Sequence, residues 1–341
     1  MDPNKGRTDL INRLSPEELQ RKLDNETFTR KTVSFYRYVM VENPGELRNQ
    51  LFKAWKELDC LGRIYVANEG INAQMNVPAH NWDQFVAFIQ SHEYLKDIPF
   101  KIAVEDDGKS FLKLQIKVRQ KIVADGLNDD EFDVTNVGNH LDAKEWNQAM
   151  DQGALVVDMR NHYESEVGKF EGAITPKAET FSEELPEVLE ILKGKQDEKV
   201  LLYCTGGVRC EKTSAFLKHH GFKDVNQLLG GIIDYKRQVD QTQEENKFQG
   251  KNFVFDNRLG ERISDEVIST CHQCGETCDT HVNCSNVRCN LLFIQCNNCG
   301  TTNHGACSDS CKEYILATPE RKIELENIHQ YKPNKRYFKM A

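Results

Sequence analysis

The sequence predicts a chain of mixed α/β and α+β class, with an α+β domain, a parallel-sheet domain and a cysteine-rich module in that order. The first domain is indicated by two helical stretches set among strand-like ones. The second is indicated by apolar strand stretches that alternate with helical ones. The third is indicated by the cysteines, because nine of the twelve lie between Cys271 and Cys311. A length of 341 residues is enough for two or three domains.

The composition is that of a globular protein, with 39% hydrophobic and 28% charged residues. The N-terminal stretch lacks the apolar core of a signal peptide, and no apolar run reaches the roughly 20 residues that span a bilayer. We therefore expect a cytoplasmic location and no membrane partner. The net charge of -9 does not indicate a general binder of polyanions. A local basic face can still contact RNA within an acidic whole.

The first thirty residues form a polar segment, in which Ser15-Pro16 is a typical helix start. The first domain spans residues 31–130. Strands are predicted at 32–41 and 62–67, after the turn at 68–70 and from residue 100, with helices at 46–61 and 81–91. The order β-α-β-β-α-β is that of a ferredoxin-like, or acylphosphatase-like, domain.

Residues 112–122 of this domain alternate between apolar and mostly basic side chains. A strand with this pattern buries one face and exposes the other. The exposed basic residues would be Lys113, Lys117, Arg119 and Lys121. Their face is either a solvated edge protected by lysines or a track for the RNA backbone. Three aromatic residues of the first strand either pack in the core or stack on bases: Phe35, Tyr36 and Tyr38.

The second domain spans residues 137–240. Its stretches 154–159 and 200–203 are apolar without alternation, which is typical of buried parallel strands. Binding sites in parallel sheets form at the carboxyl ends of the strands. Cys204 follows the second of these strands, so it is the candidate nucleophile.

A glycine-rich loop and a helix surround Cys204 in the sequence. The loop is Cys204, Thr205, Gly206, Gly207, Val208 and Arg209, and the helix continues to residue 220. Inward-pointing N–H groups of such a loop, together with a helix N-terminus, stabilise a thiolate or a persulfide. Arg209 either adds a fixed positive charge or braces the loop. The alternative for Cys204 is a buried, inert cysteine beside an ordinary turn.

An Asp-x-Arg pair precedes the loop, at Asp158 and Arg160, followed by Gly168 and by Gly172-Ala173. This order resembles the rhodanese pattern. The resemblance implies that Cys204 is the active-site cysteine and that Asp158 and Arg160 support it. Cys210 is either a small residue in the first helical turn or a resolving thiol.

The cysteine-rich module spans residues 257–312. The pairs Cys271–Cys274 and Cys296–Cys299 have the Cys-x2-Cys spacing of structural zinc sites. Two such sites would use eight ligands, whereas the module has nine cysteines. Disulfides and free buried thiols are the alternatives to zinc. Residues 313–341 are predicted to form a helix and a basic tail.

Motifs in all three regions together resemble one family. They are Asn68-Glu69-Gly70-Ile71-Asn72, the stretch from Cys204 to Lys212, Cys271-His-Gln-Cys274-Gly, and Leu292-Phe-Ile-Gln-Cys296. This set is similar to the bacterial oxygen-dependent tRNA uridine hydroxylases. The resemblance implies an oxidoreductase that converts the wobble uridine at tRNA position 34 to 5-hydroxyuridine. Its partner would be the tRNA anticodon stem-loop and its co-substrate molecular oxygen, with an unnamed reductant.

Two other functions fit parts of the sequence. The Cys204 loop alone would suit a sulfurtransferase that takes sulfur from thiosulfate or a persulfide. The basic strand and the cysteine-rich module would suit a non-enzymatic RNA or protein adaptor. The sequence contains no dinucleotide fingerprint, so no organic cofactor is predicted. It also contains no recognisable facial triad of the kind that binds iron.

Overall fold

The structure is a computed structural model that describes residues 14–106, 108–127, 132–329 and 331. Residues 1–13 of the predicted N-terminal polar segment and the basic tail from residue 332 lie outside these residues. No helix in the described ranges is long and apolar enough to cross a membrane.

The first domain is built on a five-stranded sheet with the order β4-β1-β3-β2-β5. Its elements are α1 (Pro16–Asp24), β1 (Arg30–Tyr38), α2 (Pro44–Glu57), β2 (Leu61–Ala67), β3 (Gly70–Pro78), a 3-10 turn (Ala79–Asn81), α3 (Trp82–Ser91), β4 (Lys101–Ile102) and β5 (Leu114–Val118). The strand β3 runs antiparallel to both β1 and β2. The predicted ferredoxin-like order is confirmed, and β5 adds an edge strand parallel to β2.

The two faces of this sheet differ sharply in chemistry. Val33 and Phe35 of β1 point into the core, where Phe35 packs edge-on against Trp55 of α2. Since side chains alternate along a strand, Ser34 and Tyr36 point to the opposite face. That face, which we call the polar sheet face, also carries Arg63, Tyr65, Asn72 and Gln74 in the paired strands. Of the two alternatives for Phe35, packing in the core is therefore confirmed.

The strand predicted at 112–122 is shorter than its alternation suggests. The hydrogen-bonded ladder ends with the N–H of Arg119, which donates to the carbonyl of Val66 at 2.9 Å. Beyond it, the N–H of Ile122 donates to the Glu69 carboxylate at 2.7 Å and not to a neighbouring strand. The chain therefore leaves the sheet before Lys121.

The central domain contains a four-stranded parallel sheet with the order β6-β10-β9-β7. Its elements are β6 (Asn139–Leu141), α4 (Ala143–Asp151), β7 (Leu155–Asp158), α5 (His162–Glu166), β8 (Gly168–Phe170), α6 (Phe181–Ile191), β9 (Lys199–Tyr203), α7 (Val208–His219), β10 (Asp224–Leu228) and α8 (Gly231–Thr242). The predicted parallel sheet is confirmed. Cys204 follows β9, an inner strand whose residues from Val200 to Tyr203 are buried.

The C-terminal part is tied to the central domain by β11, which pairs with β8. Its elements are β11 (Phe248–Asn252), β12 (Glu261–Arg262), β13 (His281–Asn283), β14 (Leu292–Ile294), α9 (Asn297–Thr302), α10 (Asp309–Leu316) and α11 (Pro319–His329). The strands β13 and β14 form an antiparallel hairpin. The nine cysteines of the module lie around this hairpin.

Candidate active site

The loop after β9 folds around the sulfur of Cys204. The N–H of Gly207 donates a hydrogen bond to the Cys204 Sγ at 3.1 Å. Gly207 has a φ of +97°, and a Cβ there would lie 2.8 Å from the hydroxyl of Tyr36. Only glycine combines this left-handed backbone with so close a neighbour. The helix α7 begins at Val208, one residue earlier than the sequence suggested.

The start of α8 holds the carbonyl groups of the loop. The N–H groups of Ile232 and Ile233 donate to the carbonyls of Cys204 and Thr205, at 3.1 and 3.3 Å. A Cβ on Gly231, whose φ is +69°, would lie 2.6 Å from the Cys204 carbonyl oxygen. Because these carbonyls are bound to α8, the loop's N–H groups are free to face the sulfur.

The surroundings of Cys204 favour its thiolate form. Burial raises the pKa of the thiol. Hydrogen bonding by the Cys210 thiol, the charge of Arg209 and backbone N–H groups of residues 209 and 210 lower the pKa more strongly, to about 5. Burial and the Cys204 charge raise the pKa of Cys210 well above its usual value. The raised pKa of Cys210 favours its protonated form beside the Cys204 thiolate.

Arg209 is fixed by a carboxylate for which the sequence predicted no role. Its guanidinium donates two hydrogen bonds to Glu164 of α5, at 2.7 and 2.9 Å, and both side chains are buried. This two-pronged pair orients the guanidinium as well as neutralising it. Arg209 therefore both braces the loop and contributes its charge to Cys204.

Asp158 and Arg160 lie behind the site and do not contact Cys204. The Arg160 guanidinium donates to Asp158 at 2.8 and 2.6 Å and to the Gly168 carbonyl at 2.7 Å. The Tyr203 hydroxyl also donates to Asp158, at 2.6 Å. This fully buried network joins the ends of β7, β8 and β9. Its role is to hold the strand ends that carry the loop.

The polar sheet face of the first domain covers the Cys204 loop. The Tyr38 hydroxyl donates to the Val208 carbonyl at 3.1 Å, and the Tyr36 hydroxyl donates to Glu211 at 3.0 Å. The Lys212 ammonium, which is 1% exposed, lies 2.6 Å from the Glu69 carboxylate. The motif of residues 68–72 after β2 and the motif of residues 204–212 after β9 are thus in contact. Neither motif predicts this contact from the sequence alone.

A cleft of about 610 Å³ lies between the polar sheet face and the Cys204 loop. This is within the usual range for small-molecule sites. Its cationic lining residues are Arg63, Lys101, Arg119, Lys121, Arg209 and Arg258. Three of these have carboxylate partners: Lys121 with Asp125, Arg209 with Glu164, and Arg258 with Asp256.

The other three cations have no ion pair with a carboxylate among the residues described. Lys101 lies 4.6 Å from the ring centre of Tyr36, and burial lowers the pKa of its ammonium. The Arg119 guanidinium lies 5.8 Å from the ring centre of Tyr65. The Arg63 guanidinium donates to the Phe255 carbonyl at 3.5 Å. The cleft therefore offers positive charge beside aromatic rings.

The four basic residues of the strand predicted at 112–122 are divided between two locations. Arg119 and Lys121 line the cleft, whereas Lys113 and Lys117 do not. Lys117 is paired in register with Tyr65 on the neighbouring strand. Lys121 donates to the buried Asp125 at 2.6 Å.

Glu184 of α6 is another group that sequence reasoning missed. Its side chain is fully buried, and neither carboxylate oxygen has a hydrogen-bond partner in the ranges described. Burial raises its pKa well above the usual value, against the opposing charge of Arg209, and Cys204 contributes to the upward shift. A neutral carboxyl group thus lies within the electrostatic reach of the thiolate. No local pattern in the sequence distinguishes it from the other glutamates of its helix.

The cysteine-rich module gathers eight sulfurs into two groups of four. The first cysteine cluster is Cys271, Cys274, Cys296 and Cys299, and the second cysteine cluster is Cys284, Cys289, Cys307 and Cys311. Within each cluster, all the ligand atoms lie within 4.8 Å of one another. All twelve cysteines of the chain are free. The sequence identified the first set and missed the second, and each set could hold a metal ion.

Family models match three parts of the chain. The model described as the UPF0176 acylphosphatase like domain matches residues 30–122. The rhodanese-like domain model matches residues 142–238, and the rhodanase C-terminal model matches residues 249–312.

Curated relatives match nearly the whole chain. A tRNA uridine(34) hydroxylase of Leptospira interrogans is 57% identical over 317 residues, which cover 93% of this chain and 86% of that protein. A protein of the same name from Photorhabdus laumondii is 49% identical, over 90% of this chain and 88% of its own length. One from Yersinia pestis is also 49% identical, over 92% and 89%.

Proposed function

The chain belongs to the family of tRNA uridine(34) hydroxylases, and on this premise we propose that it hydroxylates the wobble uridine of tRNA through the Cys204 thiolate. The enzyme is an oxidoreductase that acts on tRNA. The observation that carries the role of Cys204 is its position in the lining of the cleft, where its pKa is lowered to about 5. A tRNA substrate also favours action in the cytoplasm.

The anticodon stem-loop is the proposed part of the tRNA that enters the cleft. Enzymes that act on a base bring it out of its stack into a pocket and hold it on aromatic groups. Tyr36 and Tyr65 supply such groups on the polar sheet face. Arg63, Lys101 and Arg119 then contact the backbone phosphates next to the uridine. Lys113 and Lys117, if they bind RNA, do so outside the cleft.

The proposed reaction begins with addition of the Cys204 sulfur to C6 of uridine. The electron pair of the C5–C6 double bond moves to C5, which bonds to one atom of molecular oxygen. Two electrons from an external donor and two protons release the other oxygen atom as water. Loss of the C5 proton then expels the thiolate and restores the double bond. The sum is uridine, O₂, two electrons and two protons giving 5-hydroxyuridine and water.

Trapping with 5-fluorouridine tests the addition step. A fluorine at C5 removes the proton whose loss would release the enzyme. We expect an anticodon stem-loop that carries 5-fluorouridine at position 34 to form a covalent adduct on Cys204, detectable by peptide mass spectrometry. Cys204→Ala should give none. An adduct on another residue, or none on the wild type while the enzyme turns over normal tRNA, would contradict this step.

Isotopic oxygen tests the oxygen dependence. We expect undermodified tRNA, incubated with the enzyme, a reductant and ¹⁸O₂, to yield 5-hydroxyuridine with one ¹⁸O atom. Incubation in H₂¹⁸O with ordinary O₂ should leave the product unlabelled. Label from water would show that O₂ is not the oxygen source.

Hydroxylation is favoured over the two other functions that fit parts of the sequence. A sulfurtransferase needs only the central domain, yet the polar sheet face and the Cys204 loop together line the cleft. An adaptor would not need a thiol whose pKa is held at about 5. A persulfide intermediate on Cys204 is also compatible with this site, because the same N–H groups would stabilise a persulfide anion.

We further propose that the first cysteine cluster binds a structural zinc ion. The sulfurs of Cys274 and Cys296 are 3.7 Å apart, close to the roughly 3.8 Å edge of a tetrahedron with Zn–S bonds of about 2.3 Å. The Cys296 N–H donates to the Cys271 sulfur at 3.3 Å. Cys274→Ser should lower the zinc content by one ion per chain, and an unchanged content would contradict this site.

A further inference from the structure

The cysteines of the two clusters alternate in pairs along the chain. Residues 271 and 274 belong to the first cluster, 284 and 289 to the second, 296 and 299 to the first, and 307 and 311 to the second. Each cluster therefore joins two pairs that are separated by a pair of the other. With this pairing, two metal ions would cross-link the module so that neither half could unfold alone.

The hairpin of β13 and β14 keeps the two clusters apart. Cys284 follows the end of β13, and Cys296 follows β14 after one intervening residue. Because the strands are antiparallel, these two cysteines lie at opposite ends of the hairpin. The Cys284 N–H donates to the Leu291 carbonyl at 2.8 Å, which continues the pairing towards the loop that holds Cys289. The clusters are thus two separate sites.

The spacing of the second cluster suits a single tetrahedral ion. The Cys307 sulfur lies 3.7 Å from both the Cys289 and the Cys311 sulfur. This is again close to the roughly 3.8 Å edge expected for zinc, and far from the disulfide bond length of about 2.05 Å. An iron–sulfur cluster would hold the cysteine sulfurs further apart, because several iron atoms would lie between them.

Hydrogen-bond donors point at the sulfurs of the second cluster. The Cys307 N–H donates to the Cys284 sulfur at 3.4 Å. The Asn286 side-chain amide donates to the Cys311 sulfur, also at 3.4 Å, and Asn286 is 0% exposed. The Asn286 side-chain oxygen accepts from the N–H of Arg288 at 3.0 Å, which fixes its orientation. A buried amide directed at sulfur suits a metal-bound thiolate better than a neutral thiol.

The apolar packing around the second cluster is limited. Its buried members are Cys284, Leu291, Phe293, Ala306 and Cys311, so two of the five are themselves cluster cysteines. Small modules of this kind need a staple such as a metal, because their apolar core supplies too little free energy. Four free thiols in the second cluster would leave this half of the module without such a staple.

We propose that the second cysteine cluster binds a Zn²⁺ ion of its own, so that the module is a cross-braced unit with two zinc ions. Four thiolate ligands select zinc among the common hard and borderline divalent ions. Four thiol protons leave as the ion binds, and the resulting coordination links the folding of the module to the metal. This proposal is independent of the reaction proposed for Cys204.

The metal content of the full-length protein tests the proposal directly. We expect two zinc ions per chain by elemental mass spectrometry after purification under reducing conditions. Cys307→Ser should retain one, whereas Cys278→Ser should retain two. Cys278 is the matched control, because it lies in the same module but outside both clusters. A wild type with one zinc ion, a Cys307→Ser variant that keeps two, or iron in place of zinc would overturn the proposal.

A cobalt titration covers the case in which Cys307→Ser fails to fold. We expect the metal-free wild type to take up two equivalents of Co²⁺, with sulfur-to-cobalt charge-transfer absorption rising to the second equivalent. Saturation at one equivalent would contradict a second site. The zinc content of Cys274→Ser reports on the first cluster alone. An absence of metal from one cluster can therefore be distinguished from an absence of metal from the other.

Discussion

At the scale of single residues, Cys204 is the group on which the chemistry depends. Its loop opposes the cost of burying a charge with the Gly207 N–H, the Cys210 thiol and the Arg209 guanidinium. The thiolate is the reactive form of cysteine, so these contacts determine how much nucleophile is present at a given pH.

The pH dependence of alkylation tests the thiolate directly. Because the pKa of Cys204 is about 5, we expect its reaction with iodoacetamide to be independent of pH above about 6. Below pH 5 the rate should fall towards a tenfold loss per unit. Peptide mass spectrometry separates Cys204 from the other cysteines. A rate that keeps rising up to pH 8 or 9 would show an ordinary thiol.

Cys210 should act on the pKa of Cys204 through its hydrogen bond. We expect Cys210→Ala to raise this pKa from about 5 towards the free-cysteine value of about 8.5, because one donor to the thiolate is lost. Cys60→Ala, which removes a buried cysteine outside the cleft, should leave the alkylation profile unchanged. An unaltered profile in Cys210→Ala would instead favour a role as a resolving thiol.

At the scale of elements, the polar sheet face links the first domain to the site. The alternation of β1 directs Phe35 into the core and Tyr36 towards Cys204. The same alternation in β2 brings Arg63 and Tyr65 to the cleft. A surface with both cations and aromatic rings is typical of single-stranded RNA binding.

Substitution of the cleft arginines tests this surface. We expect Arg63→Gln and Arg119→Gln each to weaken tRNA binding and to reduce the slope of binding against salt concentration by about 1, as for one lost phosphate contact. Lys53→Gln is the matched control, since Lys53 is exposed on α2, which packs on the other face of the sheet. Equal salt slopes in all three variants, measured by fluorescence anisotropy, would rule out phosphate contacts in the cleft.

The elements themselves were largely predictable from the sequence. The strands of the first domain and the buried strands β7 and β9 have clear apolar patterns, and Ser15 is the N-cap of α1 as its motif suggests. The end of β5 was not predictable, because it depends on Glu69 taking the N–H of Ile122 from the ladder. Alternation continues in the sequence after the strand has ended.

At the scale of the whole molecule, the cleft exists because two domains are held face to face. The ion pair of Glu69 and Lys212 joins residues that are 143 positions apart, and Asp125 lies 3.5 Å from the same ammonium. Since Lys212 is 1% exposed, its charge depends on these two carboxylates. The motif following β2 is thus a structural partner of the Cys204 loop.

Loss of this contact should weaken the whole protein. We expect Glu69→Gln to lower the free energy of unfolding by about 1.5–3 kcal/mol, the usual contribution of a hydrogen bond to a charged group, because Asp125 still balances the charge. Lys223→Ala breaks an exposed pair with Asp197 and should leave the free energy of unfolding nearly unchanged, because solvent screens exposed ion pairs. Chemical denaturation measures both, and equal values would contradict the role of Glu69.

Contacts of this kind mark the limit of prediction from the sequence. The Cys204 loop and the Cys-x2-Cys pairs are local patterns, so their residues could be identified in advance. The roles of Glu164 and Glu69 and the grouping of the second cysteine cluster could not be predicted, because they depend on which distant segments the fold brings together. Long-range pairing determines the electrostatics of the site as much as the loop itself does.

The amount of 5-hydroxyuridine at tRNA position 34 is the most direct test of the role of Cys204. Undermodified tRNA is incubated with oxygen, a reductant and either wild type, Cys204→Ala or Cys60→Ala, and its nucleosides are measured by mass spectrometry. We expect the product with the wild type and Cys60→Ala, and none above background with Cys204→Ala. Equal product from folded Cys204→Ala, or none from the wild type, would contradict the account.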